Sequence, residues 1–145
     1  MRENLTKAKL ASGEVVYGAL INRYAPDQVE IFGALGYDFV MLDCEHGPMH
    51  LDQVEDMVRA GEVFGITPIA RIPDHSESTI LRYLVRGLQG VIIPHVNDKE
   101  AAESVVRSAR YYPDGYRGMG SGRAHDYGIG TTRDSSTRWI NQELL

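Results

Sequence analysis

The feature that most constrains the fold is a pattern that occurs four times along the chain. In each unit a short run of apolar residues, rich in β-branched and aromatic types, precedes a stretch with helical spacing. Three of the runs read FVML, IARI and VIIP, and such continuous apolar runs are typical of parallel strands that are covered on both faces. The pattern predicts strands at residues 15–22, 37–43, 67–72 and 91–96, and helices at residues 25–35, 51–64, 76–85 and 99–111. A strand followed by a helix, four times over, predicts a parallel α/β protein.

The predicted helix ends carry the residue types that cap helices. Ser76 and Asp98 stand where helices should begin, and their side chains can accept hydrogen bonds from free backbone N–H groups. Gly36, Gly65 and Gly87 stand where helices should end, as expected for residues that take the left-handed conformation without strain.

Two architectures accommodate this order of elements. A four-stranded, doubly wound open sheet suits the length of 145 residues. A closed (β/α)8 barrel needs about 250 residues, so the chain would supply only its first four strand–helix units. The pattern alone leaves both architectures open.

Composition excludes several classes of partner. The net charge is −5, and the three lysines, Lys7, Lys9 and Lys99, are scattered, so the chain lacks the clustered cations of a nucleic-acid-binding surface. Apolar runs end after four residues (FVML), far short of the ~20 that span a bilayer, and the N-terminus lacks the apolar core of a secretory signal. Cys44 is the only cysteine, which excludes an internal disulfide. We therefore expect a soluble, cytoplasmic protein that does not bind nucleic acid or membranes.

Reactive side chains follow the predicted strands at the ends where parallel α/β proteins place their chemistry. Asp43 and His46 follow the second strand, and a carboxylate near a histidine can orient it as a general base. Asp43 could equally be a structural cap. Arg71 lies in an apolar strand and must meet an anion, either a protein carboxylate or one from a substrate.

For two further features the sequence also allows an interpretation without a catalytic or binding role. His95 follows the fourth strand and is predicted to be a packed or solvated histidine rather than a ligand. The glycine-rich segment at residues 115–123 (GYRGMGSGR) is either a mobile loop or a loop at the strand ends that lets backbone approach a ligand.

Four segments together resemble one family. They are GYDFVMLDCEHGP at residues 36–48, PIARIP at 68–73, GVIIPHV at 90–96 and ARYYPDGYRG at 109–118. In this order they are similar to the HpcH/HpaI family of class II, metal-dependent pyruvate aldolases, and the similarity extends over nearly the whole chain.

The resemblance implies a (β/α)8 TIM barrel of the phosphoenolpyruvate/pyruvate superfamily, with residues 1–145 forming a single, partial barrel domain. It implies that His46 is the acid/base residue, that Asp43 holds it, and that Arg71 stabilises the enolate oxygen. It also implies a divalent ion (Mg²⁺, Mn²⁺ or Co²⁺), a substrate pair of pyruvate and an aldehyde or the corresponding 4-hydroxy-2-oxo acid, and a homo-oligomer.

The chain departs from the family pattern in two places. Family members carry Leu-Asp-x-Gly before the fourth strand, whereas this chain has Leu84-Val85-Arg86-Gly87, and Val85 cannot accept a hydrogen bond in a proton relay. The Glu and Asp that bind the family's metal ion lie on the next two strands. We therefore expect the metal ligands beyond Leu145, and none among residues 1–145.

Two other classes of function remain open on the sequence alone. A non-catalytic half-barrel could act by assembly, since it exposes sheet edges and apolar surface. A related barrel enzyme could instead be a lyase acting on a CoA thioester or an enol phosphate.

Overall fold

The computed structural model of the chain describes residues 2–129 and 132–145. Strands and helices alternate as predicted. The elements, in chain order, are α1 (Leu5–Ala11), β1 (Gly18–Ile21), α2 (Pro26–Ala34), β2 (Phe39–Asp43), α3 (Leu51–Phe64), β3 (Thr67–Arg71), α4 (Glu77–Leu84), β4 (Gly90–Ile92), α5 (Lys99–Ala109), a 3₁₀ segment (Arg123–Gly128) and α6 (Arg133–Glu143).

The four strands form one parallel sheet in the order β1-β2-β3-β4. Each connection therefore moves to the next strand on the same side, and the order never reverses. A doubly wound sheet reverses its strand order at a switch point, whereas a barrel does not. The sheet is an arc of a (β/α)8 barrel, which decides between the two architectures that the pattern left open.

The two faces of the sheet differ in burial. Val40, Leu42 and Ala70 point to the helical side and are fully buried, where they pack in one core with Val54 and Met57 of α3. The strand residues that alternate with these, such as Leu20 and Ile92, line the concave side of the sheet. This side is open, because Leu20 and Ile92 are 56% and 40% exposed.

The predicted helix ends are confirmed. The Ser76 side chain accepts a hydrogen bond from the Thr79 N–H at 3.3 Å, and the Asp98 side chain accepts one from the Ala101 N–H at 2.8 Å. Gly65 ends α3 with a φ of 72°, in the left-handed region where a side chain is unfavourable.

The fourth strand is shorter than predicted. It ends at Ile92, and His95 has a φ of 57°, so the backbone turns away from the sheet before residue 96. Pro94 lacks the N–H that a ladder needs, which explains why an apolar run did not continue as a strand.

A short first helix, α1, was not predicted. Asn4 is buried and caps it by accepting a hydrogen bond from the Lys7 N–H, while its side-chain amide donates to the carbonyls of Gln89 and Glu143. The Thr6 hydroxyl donates to Thr67 at the start of β3. The helix therefore closes the amino-terminal end of the sheet.

No helix within residues 2–129 and 132–145 has the length and apolar character needed to cross a membrane.

Candidate active site

Asp43 and Arg71 lie side by side at the carboxyl end of the sheet. Asp43 is the last residue of β2, Arg71 is the last residue of β3, and the two are register partners. Residues paired in this way share one face, and their parity places both on the concave side. The predicted proximity of the two side chains is therefore a direct result of the strand register.

The two side chains form a bidentate ion pair. Arg71 donates from Nε to Oδ1 of Asp43 at 3.1 Å and from a terminal nitrogen to Oδ2 at 2.7 Å. The Arg71 guanidinium lowers the pKa of Asp43 below its ordinary value, and the carboxylate raises the pKa of Arg71. Asp43 is 4% exposed, whereas the Arg71 side chain is 29% exposed. Of the two anions considered for Arg71, the structure thus supplies the protein carboxylate and leaves part of the cation accessible.

The geometry corrects the predicted contact between Asp43 and the ring of His46. Oδ1 of Asp43 accepts a hydrogen bond from the backbone N–H of His46 at 3.2 Å, so it fixes the main chain of this turn. The carboxylate oxygens are directed at Arg71, and the His46 side chain is 68% exposed. Asp43 therefore positions His46 through the backbone, and the imidazole faces solvent at the open end of the sheet.

A tight turn after His46 requires glycine. A Cβ on residue 47 would overlap the carbonyl oxygens of Asp43 and Asn22. Gly47 thus lets the loop fold back against the ends of β1 and β2, next to the Asp43 carboxylate that accepts the His46 N–H.

Glu45 joins the site, although it was not among the predicted site residues. Its side chain is 14% exposed and lies 3.3 Å from Nε of Arg71, 3.8 Å from Nε2 of His46 and 3.5 Å from Nε2 of His95. Its position between Asp43 and His46 in the sequence was the available signal. His95 was predicted to be packed or solvated, and it is solvated, with its side chain 74% exposed.

Cys44, between these acids, is not an activated nucleophile. It is buried, and burial raises the pKa of its thiol to about 11. The group is therefore a thiol at neutral pH.

The carboxylates of this site do not fit a divalent ion. Asp43 is occupied by Arg71 and the His46 amide, and Glu45 faces Arg71 and two imidazoles. Over residues 2–129 and 132–145, no group of three or more His, Cys, Asp or Glu side chains is placed to hold a metal ion.

The glycine-rich loop lies away from this site. Gly122 lies near the Val85 carbonyl, and Arg123 packs against Gly87, just before β4 begins. The loop is therefore at the amino-terminal end of the sheet, which rules out the functional interpretation that placed it at the carboxyl ends of the strands. The loop follows α5. A helix that connects two parallel strands runs antiparallel to them, so it ends at the amino-terminal end of the sheet.

A family model for HpcH/HpaI aldolase/citrate lyase matches residues 17–142. The chain belongs to this family. The match contains all four strands and every residue of the site described above, and it confirms the resemblance drawn from the four sequence segments.

Curated HpcH/HpaI relatives include aldolases. The chain is 38% identical over 129 residues to a 4-hydroxy-2-oxovalerate aldolase of Novosphingobium aromaticivorans, covering 86% of this chain and 48% of the relative. It is 33% identical over 140 residues to a hydroxypyruvate/pyruvate aldolase of Roseobacter denitrificans, covering 92% of this chain and 55% of the relative. The chain thus spans about half the length of the curated relatives it matches.

Solved structures show the same arc. An HpcH/HpaI aldolase from Desulfitobacterium hafniense superposes with a TM-score of 0.86 at 30% identity, covering 96% of this chain and 54% of that one. The arrangement of four strands and their helices is therefore that of a partial HpcH/HpaI barrel.

The ion pair makes a testable prediction about Asp43. We expect Arg71→Met to raise the pKa of Asp43, because the cation that lowers it is lost while burial, which raises it, remains. A folded-state pKa below the unfolded one stabilises the protein above the unfolded pKa of ~3.9, and this contribution disappears as the pH falls through the folded pKa. The stability difference between wild type and variant should therefore be largest at neutral pH and shrink in acid.

The measurement is a ¹³C NMR titration of the Asp43 carboxyl, with urea unfolding at several pH values. Asp38 is the internal control, since Lys9 lowers its pKa and the substitution does not touch that pair. An unchanged Asp43 pKa in the variant would contradict the ion pair.

Proposed function

We propose that the protein, at its full natural length, is a class II aldolase that cleaves or forms 4-hydroxy-2-oxo acids through a pyruvate enolate. The observation that carries the proposal is the Arg71–Asp43 pair at the carboxyl end of an HpcH/HpaI barrel arc. The aldolase names of the relatives from Novosphingobium and Roseobacter support this class of reaction.

In this proposal Arg71 meets the developing enolate oxygen. Two of its nitrogens are held by Asp43, which fixes the plane of the guanidinium, while 29% of the side chain stays accessible on the concave side. A preorganised cation at the place where negative charge develops is the largest single contribution in many enzymes.

His46 is the proposed acid or base. Its ring is exposed at the mouth of the site, 3.8 Å from Glu45, and its main chain is fixed by Asp43. An imidazole is the usual group for moving protons near neutral pH. Val85, at the end of α4, stands where the family pattern has an aspartate, and we propose that Glu45 rather than residue 85 is the carboxylate that faces His46.

The proposal includes a divalent ion, Mg²⁺, Mn²⁺ or Co²⁺, as expected for the family. The carboxylates described here do not fit the ion, so its ligands would have to come from outside residues 1–145. The proposed substrates are pyruvate and an aldehyde. The protein is further proposed to be a homo-oligomer and to be located in the cytoplasm.

The test is an aldol cleavage assay on the protein at its full natural length. With 4-hydroxy-2-oxo acids as substrates, pyruvate release is followed by coupling to lactate dehydrogenase, with and without EDTA. We expect release that EDTA abolishes and Mg²⁺, Mn²⁺ or Co²⁺ restores. Absence of pyruvate release from every such acid, with metal present, would overturn the proposal.

Arg71→Lys is expected to lower kcat/KM for cleavage by about 10²–10³-fold, the usual loss when one oxyanion donor is removed. An ammonium group cannot reproduce the planar fork that bonds Asp43 at two points. The matched control is Arg82→Lys, since Arg82 lies on α4 near the turn that follows β3. Equal kinetics for wild type and Arg71→Lys would remove Arg71 from the mechanism.

A second candidate is a citrate lyase-type reaction on a CoA thioester, which the family description includes alongside aldolases. It shares the need for a stabilised enolate. Acetyl-CoA release from a citryl or malyl thioester, without pyruvate release from hydroxy-oxo acids, would favour it.

A further inference from the structure

A small cavity lies at the amino-terminal end of the sheet. Its volume is about 60 Å³, and its walls come from Arg2 near the amino terminus, from the segment before β4, from the last turns of α6 and from the loop after α5. Gly87 and Gln89 lead into the start of β4, whereas Asp43 and Arg71 end their strands. The cavity is therefore at the opposite end of the barrel arc from the candidate active site.

Arg117 lines this cavity as a buried cation. The residue is 5% exposed, and its Nε and one terminal nitrogen have no hydrogen-bond partner in the described chain. Its guanidinium stacks on the ring of Tyr111, 4.5 Å from the centroid. The ring face attracts a cation, but it offers no acceptor in the plane of the guanidinium, where the N–H groups point.

The surrounding groups do not neutralise Arg117. His125 is held between the Tyr111 hydroxyl at 2.8 Å and the Ser136 hydroxyl at 3.1 Å. Burial and, after it, the nearby Arg117 charge lower the pKa of His125, which favours the neutral ring. Glu143 is the carboxylate that lines the cavity, and its Oε2 accepts the backbone N–H of Asn4 at 2.5 Å.

Two other arginines show the usual arrangement. Arg86 and Arg123 each leave Nε without a partner, but each also contacts a carboxylate, Glu55 and Glu62 respectively. Arginine is a permanent cation in proteins, and buried charges are normally paired. Among residues 2–129 and 132–145, Arg117 thus meets no anion that would offset its buried charge.

We propose that the cavity beside Arg117 binds a small, singly charged aliphatic carboxylate. The guanidinium supplies a permanent positive charge. Its Nε and one terminal nitrogen are covered by the surrounding chain, so the other terminal nitrogen is the donor that it offers to a carboxylate. The rest of the lining is largely apolar and suits a short hydrocarbon tail (Leu84, Leu88, Trp139, Ile140, Leu144). A carboxylate side chain from outside residues 1–145 would have the same chemistry, and the experiment separates the two sources.

The probe is sodium propionate, tested on the protein at its full natural length. Thermal unfolding is followed at constant ionic strength, with sodium gluconate replacing propionate, because gluconate carries the same charge but is too large for the cavity. Near-saturating propionate should raise the Tm by about 2–5 °C, as any ligand that binds only the folded state does.

Three variants locate the effect. Arg117→Met removes the charge and keeps an unbranched side chain, and it should lose the Tm shift. Ala124→Leu fills the cavity from its wall, leaves Arg117 in place, and should lose the shift as well. Arg107→Met, which removes an exposed cation on α5, should keep it.

Two outcomes overturn the proposal. Equal Tm shifts in wild type and all three variants would mean a general effect of the salt. A wild type that does not respond, together with an Arg117→Met variant that is destabilised in both salts, would mean that a carboxylate of the protein itself fills the cavity. If Arg117→Met does not fold, Ala124→Leu and Arg107→Met still decide the result.

Discussion

Residues 1–145 alone are expected to leave the methyl protons of pyruvate unexchanged in D₂O, even with Mg²⁺, Mn²⁺ or Co²⁺ added. An enolate oxygen needs strong positive charge beside it, and hard divalent ions are held through carboxylates. In the part of the chain that the structure describes, no group of three or more His, Cys, Asp or Glu side chains is placed to hold a metal ion. The charge of Arg71 is already shared with Asp43 and Glu45, so this cation alone is not expected to stabilise the enolate.

The measurement is the loss of the pyruvate methyl signal in ¹H NMR over time. The protein at its full natural length, at the same concentration and with the same metals, is the positive control, and circular dichroism checks that residues 1–145 are folded. Metal-dependent exchange by residues 1–145 above the buffer rate would contradict this prediction, and would place a functional metal site among the residues described here.

His46→Ala in the full-length protein is expected to lower kcat for aldol cleavage by about 10²–10⁴-fold, the usual contribution of general acid–base catalysis. The ring is exposed at the carboxyl end of the sheet, and its Nε2 lies 3.8 Å from the Glu45 carboxylate. Its removal should therefore cost activity and little stability.

The control is His75→Ala, which removes an exposed histidine from the loop between β3 and α4. That variant should keep wild-type kinetics, and both variants should unfold at nearly the wild-type Tm. Near-normal cleavage by His46→Ala would show that His46 has no part in proton transfer. A large drop in Tm with little change in kcat would mean a structural role.

Most of the fold follows from local patterns. The apolar runs at residues 37–43 and 67–72 became β2 and β3 almost residue for residue, because covered parallel strands need apolar side chains on both faces. Ser76 and Gly65 mark helix ends through interactions within one turn, which a sequence displays directly. The first helix was missed because its cap, Asn4, is stabilised mainly by Gln89 and Glu143, far along the chain.

The candidate site was predictable only in part. Strand ends indicated Asp43, His46 and Arg71, and the register between β2 and β3 brings Asp43 and Arg71 into contact. The sequence offered no means of choosing between the ring and the backbone of His46 as the partner of Asp43. That choice depends on a turn in which Gly47 packs against Asn22, a contact between the segments that follow β2 and β1.

The sequence by itself determined the order of strands and helices, the residues at the strand ends and the family. Those properties depend on neighbours along the chain, where spacing and capping act. The tertiary structure decided which way the strands progress, which anion meets Arg71, and where the glycine-rich loop lies. It also decided that Arg117 is buried without a carboxylate partner among the residues that the structure describes, because burial and ion pairing depend on residues that are distant in sequence and meet only in the folded protein.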